Sequence, residues 1–181
     1  MYGLKTESSF DASHFLTDYH GKCENLHGHR WRVVAYLEVA ELQTEGTCKD
    51  MVVDFGDFKR ELRSLTERLD HHFIIEEGSL APDTLACLER EGFALFAMPF
   101  RTTAENLAKW FFDALAERGL PVAQVDVYET PNNCAYYRAD APAAGVGAAG
   151  MPAEATPAAG SDAPESRSDA RPEAAGTGEG R

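Results

Sequence analysis

Residues 23–39 read Cys-Glu-Asn-Leu-His-Gly-His-Arg-Trp-Arg-Val-Val-Ala-Tyr-Leu-Glu-Val and carry the strongest periodic pattern in the chain. From His29 to Val39 the odd-numbered positions are nearly all apolar, whereas the even-numbered positions include Arg30 and Arg32. Alternation with a period of two is typical of a strand with one buried face. His27 continues that odd-numbered series, so two imidazoles are predicted on the buried face where the strand begins.

A second strand is predicted over residues 4–14, with Phe10, Ala12 and His14 on one face. If this strand pairs with the one after His27, the side chain of His14 faces His27 and His29. Three imidazoles from neighbouring strands leave the fourth position of a tetrahedral zinc ion open, which is the arrangement of catalytic zinc. We therefore predict His14, His27 and His29 as Zn²⁺ ligands. For His14 taken alone, a hydrogen-bonded core histidine is the alternative.

The remaining elements are predicted from helical periodicity, caps and turn residues. Asp54 is the expected N-cap of a helix with a long apolar stripe, and a short helix is expected within residues 79–92. A capping box from Thr102 to Glu105 predicts a third helix that ends at Gly119. Extended segments are predicted over residues 93–100, 122–130 and 134–138. The order ββααββ, with a short extra helix, predicts an α+β fold with an antiparallel sheet and helices on one face.

Three further sites carry groups suited to acid–base chemistry. Cys23 is a candidate base or nucleophile next to the histidine pair, whereas the other three cysteines are interpreted as structural. Asp70 precedes His71, and a carboxylate beside an imidazole orients the ring and raises its pKa; a helix C-terminus is the alternative explanation for that histidine. Glu129 is in line with two valines, so it needs a buried donor or is solvated at the strand end.

Composition bounds the class of protein. The chain has 181 residues and a formal net charge of −13, which argues against non-specific binding to nucleic acid. Four scattered cysteines and the absence of an apolar N-terminal run or membrane-length segment lead us to expect a cytoplasmic protein with no membrane association. Residues 141–181 are mostly Ala, Gly, Pro, Ser and charged, so we predict a domain at 1–140 and a disordered Ala/Gly/Pro/Glu-rich tail at 141–181.

Five short motifs, in this order along residues 4–140, resemble those of the 6-pyruvoyltetrahydropterin synthase family. Three residues separate the cysteine from His-Gly-His. This spacing is most similar to that of the bacterial 6-carboxytetrahydropterin synthases, which serve queuosine biosynthesis. The segment at 76–93 is longer than expected for the family. The motifs are Phe10–His14, Cys23-x-x-x-His27-Gly28-His29, Leu69–His72, Thr103–Asn106 and Tyr128–Thr130.

This resemblance implies a tunnelling fold (T-fold), in which ββααββ subunits form trimers around a twelve-stranded barrel and two trimers stack into a homohexamer. Active sites then lie between subunits. The resemblance assigns zinc to the three histidines, proton abstraction to Cys23, and a second acid–base role to Asp70 and His71. Glu129 and Thr103 would hold the pterin ring, while Ala104 replaces a residue that is often Thr or Ser in the family.

The implied activity is that of a zinc-dependent carbon–carbon lyase. It converts 7,8-dihydroneopterin triphosphate to 6-carboxy-5,6,7,8-tetrahydropterin, acetaldehyde and triphosphate. Glu24 leaves an alternative open, because a sister group with glutamate in place of the cysteine cleaves the same substrate to 6-hydroxymethyl-7,8-dihydropterin for folate synthesis. In that case Glu24 contacts the substrate and one or both products form; otherwise it is a solvated loop residue.

Two other classes compete, namely a cupin-like metalloprotein, for which too few strands are predicted, and a non-catalytic pterin-binding protein. The phosphate chain of the implied substrate also needs cations. Lys22, Arg30 and Arg32 are candidates, although surface solubility explains them equally well.

Overall fold

The computed structural model describes residues 1–138, so the predicted tail at 141–181 lies outside the described residues. These residues form six strands and three α-helices, with two successive strands at each end and helices alternating with single strands between them. A single 3₁₀ turn at Lys22–Glu24 lies between the first two strands. The elements are β1 Tyr2–His14, β2 His27–Val39, α1 Phe55–Glu67, β3 Phe73–Glu76, α2 Pro82–Arg90, β4 Leu95–Met98, α3 Ala104–Glu117, β5 Val122–Thr130 and β6 Asn133–Arg138.

The strands form one sheet in the order β4-β3-β1-β2-β5-β6. The four long strands β1, β2, β5 and β6 pair antiparallel, as predicted. The two short strands β3 and β4 pair in parallel, which makes the sheet mixed. Their parallel pairing requires a crossover, and α2 supplies it. The α+β class is therefore confirmed. The pairing of β3 with β4 was not predicted from the sequence.

The core lies between one face of the sheet and the helices α1 and α3. Phe10 of β1 stacks on Trp31 of β2, with ring centroids 5.9 Å apart, and both are essentially inaccessible to solvent. Leu62 of α1 and Phe111 of α3 belong to the same buried cluster. The apolar stripes of α1 and α3 thus cover the face predicted from the odd-numbered positions of β2. In contrast, α2 has no buried residue.

The N-caps of α1 and α3 show which helix starts can be predicted from neighbouring residues alone. The Asp54 carboxylate accepts from the backbone N–H of Gly56 at 2.7 Å, which confirms the predicted N-cap of α1. The predicted cap at Thr102 is wrong, because the N-cap of α3 is Thr103. Thr102 is buried, and its hydroxyl donates to the carbonyl of Phe15 at 3.3 Å, so tertiary contacts hold it outside the helix. Within residues 1–138, no helix has the length and apolarity needed to cross a bilayer.

Candidate metal centre and active site

Three histidines meet at the end of the β1–β2 pair. In the antiparallel register His14 is opposite His27, and Ala12 is opposite His29, so the three side chains share the core face. One ring nitrogen from each lies within 4.8 Å of the others. Trp31 forms the neighbouring wall, with its ring centroid 4.9 Å from that of His14. The pairing expected from strand alternation is therefore present, and the cluster could hold a metal ion.

Hydrogen bonds orient two of these rings. His14 Nδ1 donates to the carbonyl of Thr102 at 2.9 Å, and His27 Nδ1 donates to the carbonyl of Asn25 at 2.7 Å. A proton on Nδ1 leaves Nε2 with a free lone pair, as metal-binding histidines require. Nε2 of His14 and Nε2 of His29 are buried and have no hydrogen-bond partner among the described residues. Buried, unpaired acceptors are costly, so this donor set fits a metal ion.

Burial also keeps the cluster in the form that binds metals. Desolvation lowers the pKa of His14 to about 4, with smaller contributions in the same direction from His27 and His29. The pKa of His29 is lowered as well, first by burial and then by His27. Neutral imidazole is the ligand form, because a protonated ring has no lone pair to donate. The lowered pKa values of His14 and His29 therefore favour the neutral rings that a metal ion requires.

A cavity of about 510 Å³ adjoins the cluster and is called the Cys23 cavity. Cys23 reaches it from the 3₁₀ turn, which is tied to the end of β1 by a 2.8 Å bond from Leu16 N–H to the Cys23 carbonyl. Glu24, the next residue, is exposed and is not part of the cavity wall. The structure therefore brings the thiol to the site and leaves the adjacent carboxylate outside. The wall includes His14, Tyr19, Cys23, Thr103, Glu105, Glu129, Asn132, Asn133 and Cys134.

Two carboxylates, those of Glu105 and Glu129, line this cavity. Tyr128 pairs with Cys134 and Thr130 with Asn133, so Glu129 is the extra residue of a β-bulge, a device that redirects side chains near active sites. Burial raises the pKa of Glu129, and the nearby carboxylate of Glu105 raises it further. Of the two alternatives left open for Glu129, this half-buried environment favours a carboxylate that needs a hydrogen-bond donor over one that is fully solvated. Thr103, the third predicted ligand-binding residue here, lines the cavity from the start of α3.

Asp70 and His71 form a tightly held pair on the other side of β1. The Asp70 carboxylate accepts from Asp11 N–H at 2.8 Å and from His71 Nδ1 at 2.9 Å. The Asp11 bond is the main reason that the pKa of Asp70 is lowered. His71 adopts a left-handed φ of 58°, and its N–H donates to the Asp11 carbonyl at 2.7 Å. Because so many bonds maintain this conformation, the ring is oriented even though its side chain is 80% exposed.

His71 does not line the Cys23 cavity. It lines a second cavity of about 450 Å³, called the His71 cavity, together with Ser13, Gly28, His29, His72 and Phe93. The single chain therefore assembles the histidine cluster, Cys23, Thr103 and Glu129, but leaves the Asp70–His71 pair apart from them.

Three residues of the site were missed from the sequence. Glu105 belongs to the Thr-Ala-Glu-Asn motif, and its place in the first turn of α3 was a usable signal. Cys134, which was interpreted as structural, is exposed and lines the Cys23 cavity. Thr102 orients His14 through its backbone carbonyl. That contact joins positions 88 residues apart, so no local pattern could reveal it.

Comparison with known proteins agrees with this arrangement. Residues 3–140 match the family model described as 6-pyruvoyl tetrahydropterin synthase. The chain is 33% identical over 141 residues to the 6-carboxy-5,6,7,8-tetrahydropterin synthase of Haemophilus influenzae, covering 76% of this chain and 99% of that protein. It is 37% identical over 127 residues to the Aquifex aeolicus protein of the same name, covering 65% and 76% respectively.

Solved structures agree on the fold. An uncharacterized protein from Wolinella succinogenes superposes with a TM-score of 0.64 at 25% identity, covering 76% of this chain and 97% of that one. Plasmodium vivax 6-pyruvoyltetrahydropterin synthase, in a variant whose catalytic glutamate is replaced by alanine, gives 0.55 at 22% identity, covering 75% and 96%. These likenesses confirm the predicted T-fold. The chain belongs to the 6-pyruvoyl tetrahydropterin synthase family.

Proposed function

We propose that this protein is a zinc-dependent 6-carboxy-5,6,7,8-tetrahydropterin synthase. Its substrate is 7,8-dihydroneopterin triphosphate, and its products are the carboxypterin, acetaldehyde and triphosphate. The reaction is a step of queuosine biosynthesis. One observation carries the proposal: one cavity is lined by the Cys23 thiol, by His14 of the histidine cluster and by the half-buried carboxylate of Glu129. Relatives named 6-carboxy-5,6,7,8-tetrahydropterin synthase, at about a third identity, support the same activity.

The pterin ring is held by the acidic end of the Cys23 cavity. A pterin presents an amino group and ring N–H donors along one edge, and a carboxylate can accept two of them at once. Glu129 is aimed at the cavity by its bulge, and Glu105 faces it. A ligand that donates several hydrogen bonds offsets the cost of keeping these two carboxylates close together. The hydroxyl of Thr103 adds a further polar contact at the cavity wall.

His14, His27 and His29 would hold the zinc ion, each through one ring nitrogen. When bound, zinc acts as a Lewis acid that makes coordinated hydroxyl groups more acidic. Cys23, on the wall shared with His14, removes a carbon-bound proton as the thiolate. His71 exchanges protons through Nε2, since its Nδ1–H is committed to Asp70. The ionised Asp70 stabilises the protonated ring that forms.

Catalysis by both Cys23 and His71 requires a second copy of the chain. The edge of β1 that faces away from β2 pairs with β3 only at Ser13, so on that edge the residues from Tyr2 to Ser9 have no strand partner within residues 1–138. The outer edge of β6 likewise has no strand partner in the part of the chain that the structure describes. Antiparallel pairing of β1 with β6 of the next copy continues the sheet, and three copies close a barrel without edges.

That pairing also completes the site. Asp70 and His71 hold the β1 edge at Asp11, while β6 begins beside the Cys23 cavity at Asn133. Joining the two edges places the Asp70–His71 pair of one copy at the Cys23 cavity of its neighbour. We propose a homohexamer made of two such trimers.

Cleavage to 6-hydroxymethyl-7,8-dihydropterin is the second candidate. The Plasmodium vivax relative uses a catalytic glutamate, and Glu24 adjoins Cys23 in this chain. The exposed position of Glu24, outside the cavity wall, favours the carboxypterin as the main product.

The test is product analysis with zinc-loaded protein and 7,8-dihydroneopterin triphosphate. We expect 6-carboxytetrahydropterin and acetaldehyde in equal amounts, and loss of both in Cys23→Ala with zinc content unchanged. Glu24→Gln is the matched control and should retain the carboxypterin product. Hydroxymethylpterin that disappears in Glu24→Gln would transfer the function to the second candidate, and full activity in Cys23→Ala would refute the proposed mechanism.

A further inference from the structure

The β-bulge that carries Glu129 is held on both sides by its neighbours in the chain. In the described part of the chain, the β2–β5 ladder ends at the pair of Arg32 and Tyr128, so Glu129 itself has no partner on β2. On the other side of the bulge, the hydroxyl of Thr130 accepts from the N–H of Asn133 at 3.1 Å. The direction of the Glu129 side chain therefore depends on how firmly Tyr128 and Thr130 are fixed.

Arg32 fixes Tyr128 on the face of the sheet that is opposite the core. It lies on that face because its neighbours on β2, Trp31 and Val33, point into the buried cluster. The strand register puts Arg32 directly opposite Tyr128, and its guanidinium carbon lies 3.8 Å from the centroid of the Tyr128 ring. A cation this close to an aromatic face is attracted by the negative charge density above the ring.

Arg32 is itself held by a residue of β1. Its Nη1 donates to Oε2 of Glu7 at 3.2 Å. In the β1–β2 register Arg32 is opposite Ser9, so Glu7 is its diagonal neighbour, within reach of a long side chain. The guanidinium thus joins three adjacent strands, β1, β2 and β5, and the last contact of this series is one residue before Glu129.

Glu129 needs such support because its surroundings disfavour the ionised carboxylate. Burial raises the pKa of Glu129, and the nearby carboxylate of Glu105 raises it further. An ionised Glu129 would therefore gain free energy by turning towards solvent, unless the backbone of the bulge is held in place.

We propose that Arg32 is a positioning residue, which fixes Tyr128 and thereby keeps the Glu129 carboxylate directed into the Cys23 cavity. This inference rests on the proposed function, in which Glu129 accepts from the N–H donors of the pterin. It gives Arg32 a role that is distinct from binding phosphate, although Arg32 lies outside the cavity and does not touch the pterin.

The experiment is a double-mutant cycle on Arg32 and Glu129, measured as the dissociation constant of 7,8-dihydroneopterin from the full-length, zinc-loaded protein. This ligand has no phosphate, so a loss of affinity in Arg32→Gln does not come from a lost phosphate contact. Arg32→Gln should weaken binding about threefold to tenfold, because the cation–π contact and the ion pair are both removed. In the Glu129→Gln background, which should itself bind more weakly, the same replacement should change the affinity by less than about twofold.

Two replacements of Tyr128 test the intermediate step. Tyr128→Phe keeps the ring beneath the guanidinium and should bind as the wild type does, although the contact of the hydroxyl with Cys134 is lost. Tyr128→Ala should match Arg32→Gln, and it provides the same test if Arg32→Gln is poorly folded by its melting curve.

Lys5→Gln is the matched control. Nζ of Lys5 lies 5.9 Å from the centroid of the Tyr36 ring, so it is also a cation above an aromatic ring. Tyr36 is on the same face of the sheet, but it pairs with Gln124, four residues before Tyr128. Binding of dihydroneopterin should not change in this variant.

Several outcomes would overturn the inference. Equal weakening by Arg32→Gln with and without the Glu129 carboxylate would do so, because Arg32 would then act on the fold as a whole. Wild-type affinity of Arg32→Gln for dihydroneopterin, with weaker binding of inorganic triphosphate, would make Arg32 a phosphate contact instead. Weaker binding in Glu129→Gln but not in Arg32→Gln would refute this inference alone. Wild-type affinity in Glu129→Gln would refute the pterin contact of the proposed function, and the inference would fail with it.

Discussion

Mixed oligomers test whether the active site is shared between copies. Cys23→Ala removes the thiol from the Cys23 cavity, and His71→Ala removes the ring that lies outside it, so each variant alone should lose activity by about two to four orders of magnitude. In a co-expressed mixture at equal ratio, a working site needs an intact Cys23 from one copy and an intact His71 from its neighbour. Each condition is met half of the time, so about one quarter of wild-type activity should return.

The assay is steady-state turnover of 7,8-dihydroneopterin triphosphate by mixed oligomers purified through two different affinity tags. If Cys23 and His71 act within one chain, every chain in the mixture lacks one of them, and activity should stay at the level of the separate variants. That result would refute the argument from the open strand edges. A co-expressed pair of Cys23→Ala and Asp70→Ala should behave like the first pair, because Asp70 holds His71 in place.

Three further predictions concern the metal, the core and the outer face of the sheet. Replacing His29 with alanine should reduce bound zinc per subunit, measured by atomic absorption, and should abolish the lowering of the melting temperature that a chelator causes in the wild type. Leu62→Ala should lower the free energy of unfolding by about 2–5 kcal/mol in urea titrations, because Leu62 is fully buried; Lys59→Ala, on the exposed side of the same helix, should change it little. Tyr36 donates to Asp126 at 3.0 Å, and its pKa is raised to about 12, chiefly by burial. Since the unfolded tyrosine ionises near pH 10 and the folded one near 12, stability should fall as pH rises through this window and then level off. The same titration of Tyr36→Phe should lack this component, and identical pH profiles for the two proteins would contradict the assignment.

Strand alternation was a reliable guide where one face of the sheet is buried. The parity of β2 placed His27 and His29 with the core residues, and the β1–β2 register then brought His14 opposite His27. The N-cap at Asp54 was equally readable, because a cap bonds to N–H groups two or three residues away. The N-cap of α3 could not be predicted in this way, because Thr102 and Thr103 are both suitable N-cap residues. The hydroxyl of Thr102 bonds to the carbonyl of Phe15 at the end of β1, and Thr103 is therefore the cap.

Features that depend on distant contacts could not be read from local patterns. β3 and β4 are four residues each, too short for a periodic signal, and they pair only because α2 returns the chain in parallel. The proximity of Glu105 and Glu129 also depends on the packing of α3 against β5, because Glu105 is at the start of α3 and Glu129 is near the end of β5.

The sequence alone determined the α+β class, the placement of the three histidines on the buried faces of two strands, and the family, because periodicity, parity and short motifs are properties of neighbouring residues. The tertiary structure decided the rest. It placed Cys23 in the wall of one cavity and left Glu24 in solvent, and it placed His71 in the wall of a different cavity. Those relations depend on distances between residues far apart in the chain, which only packing and strand register define.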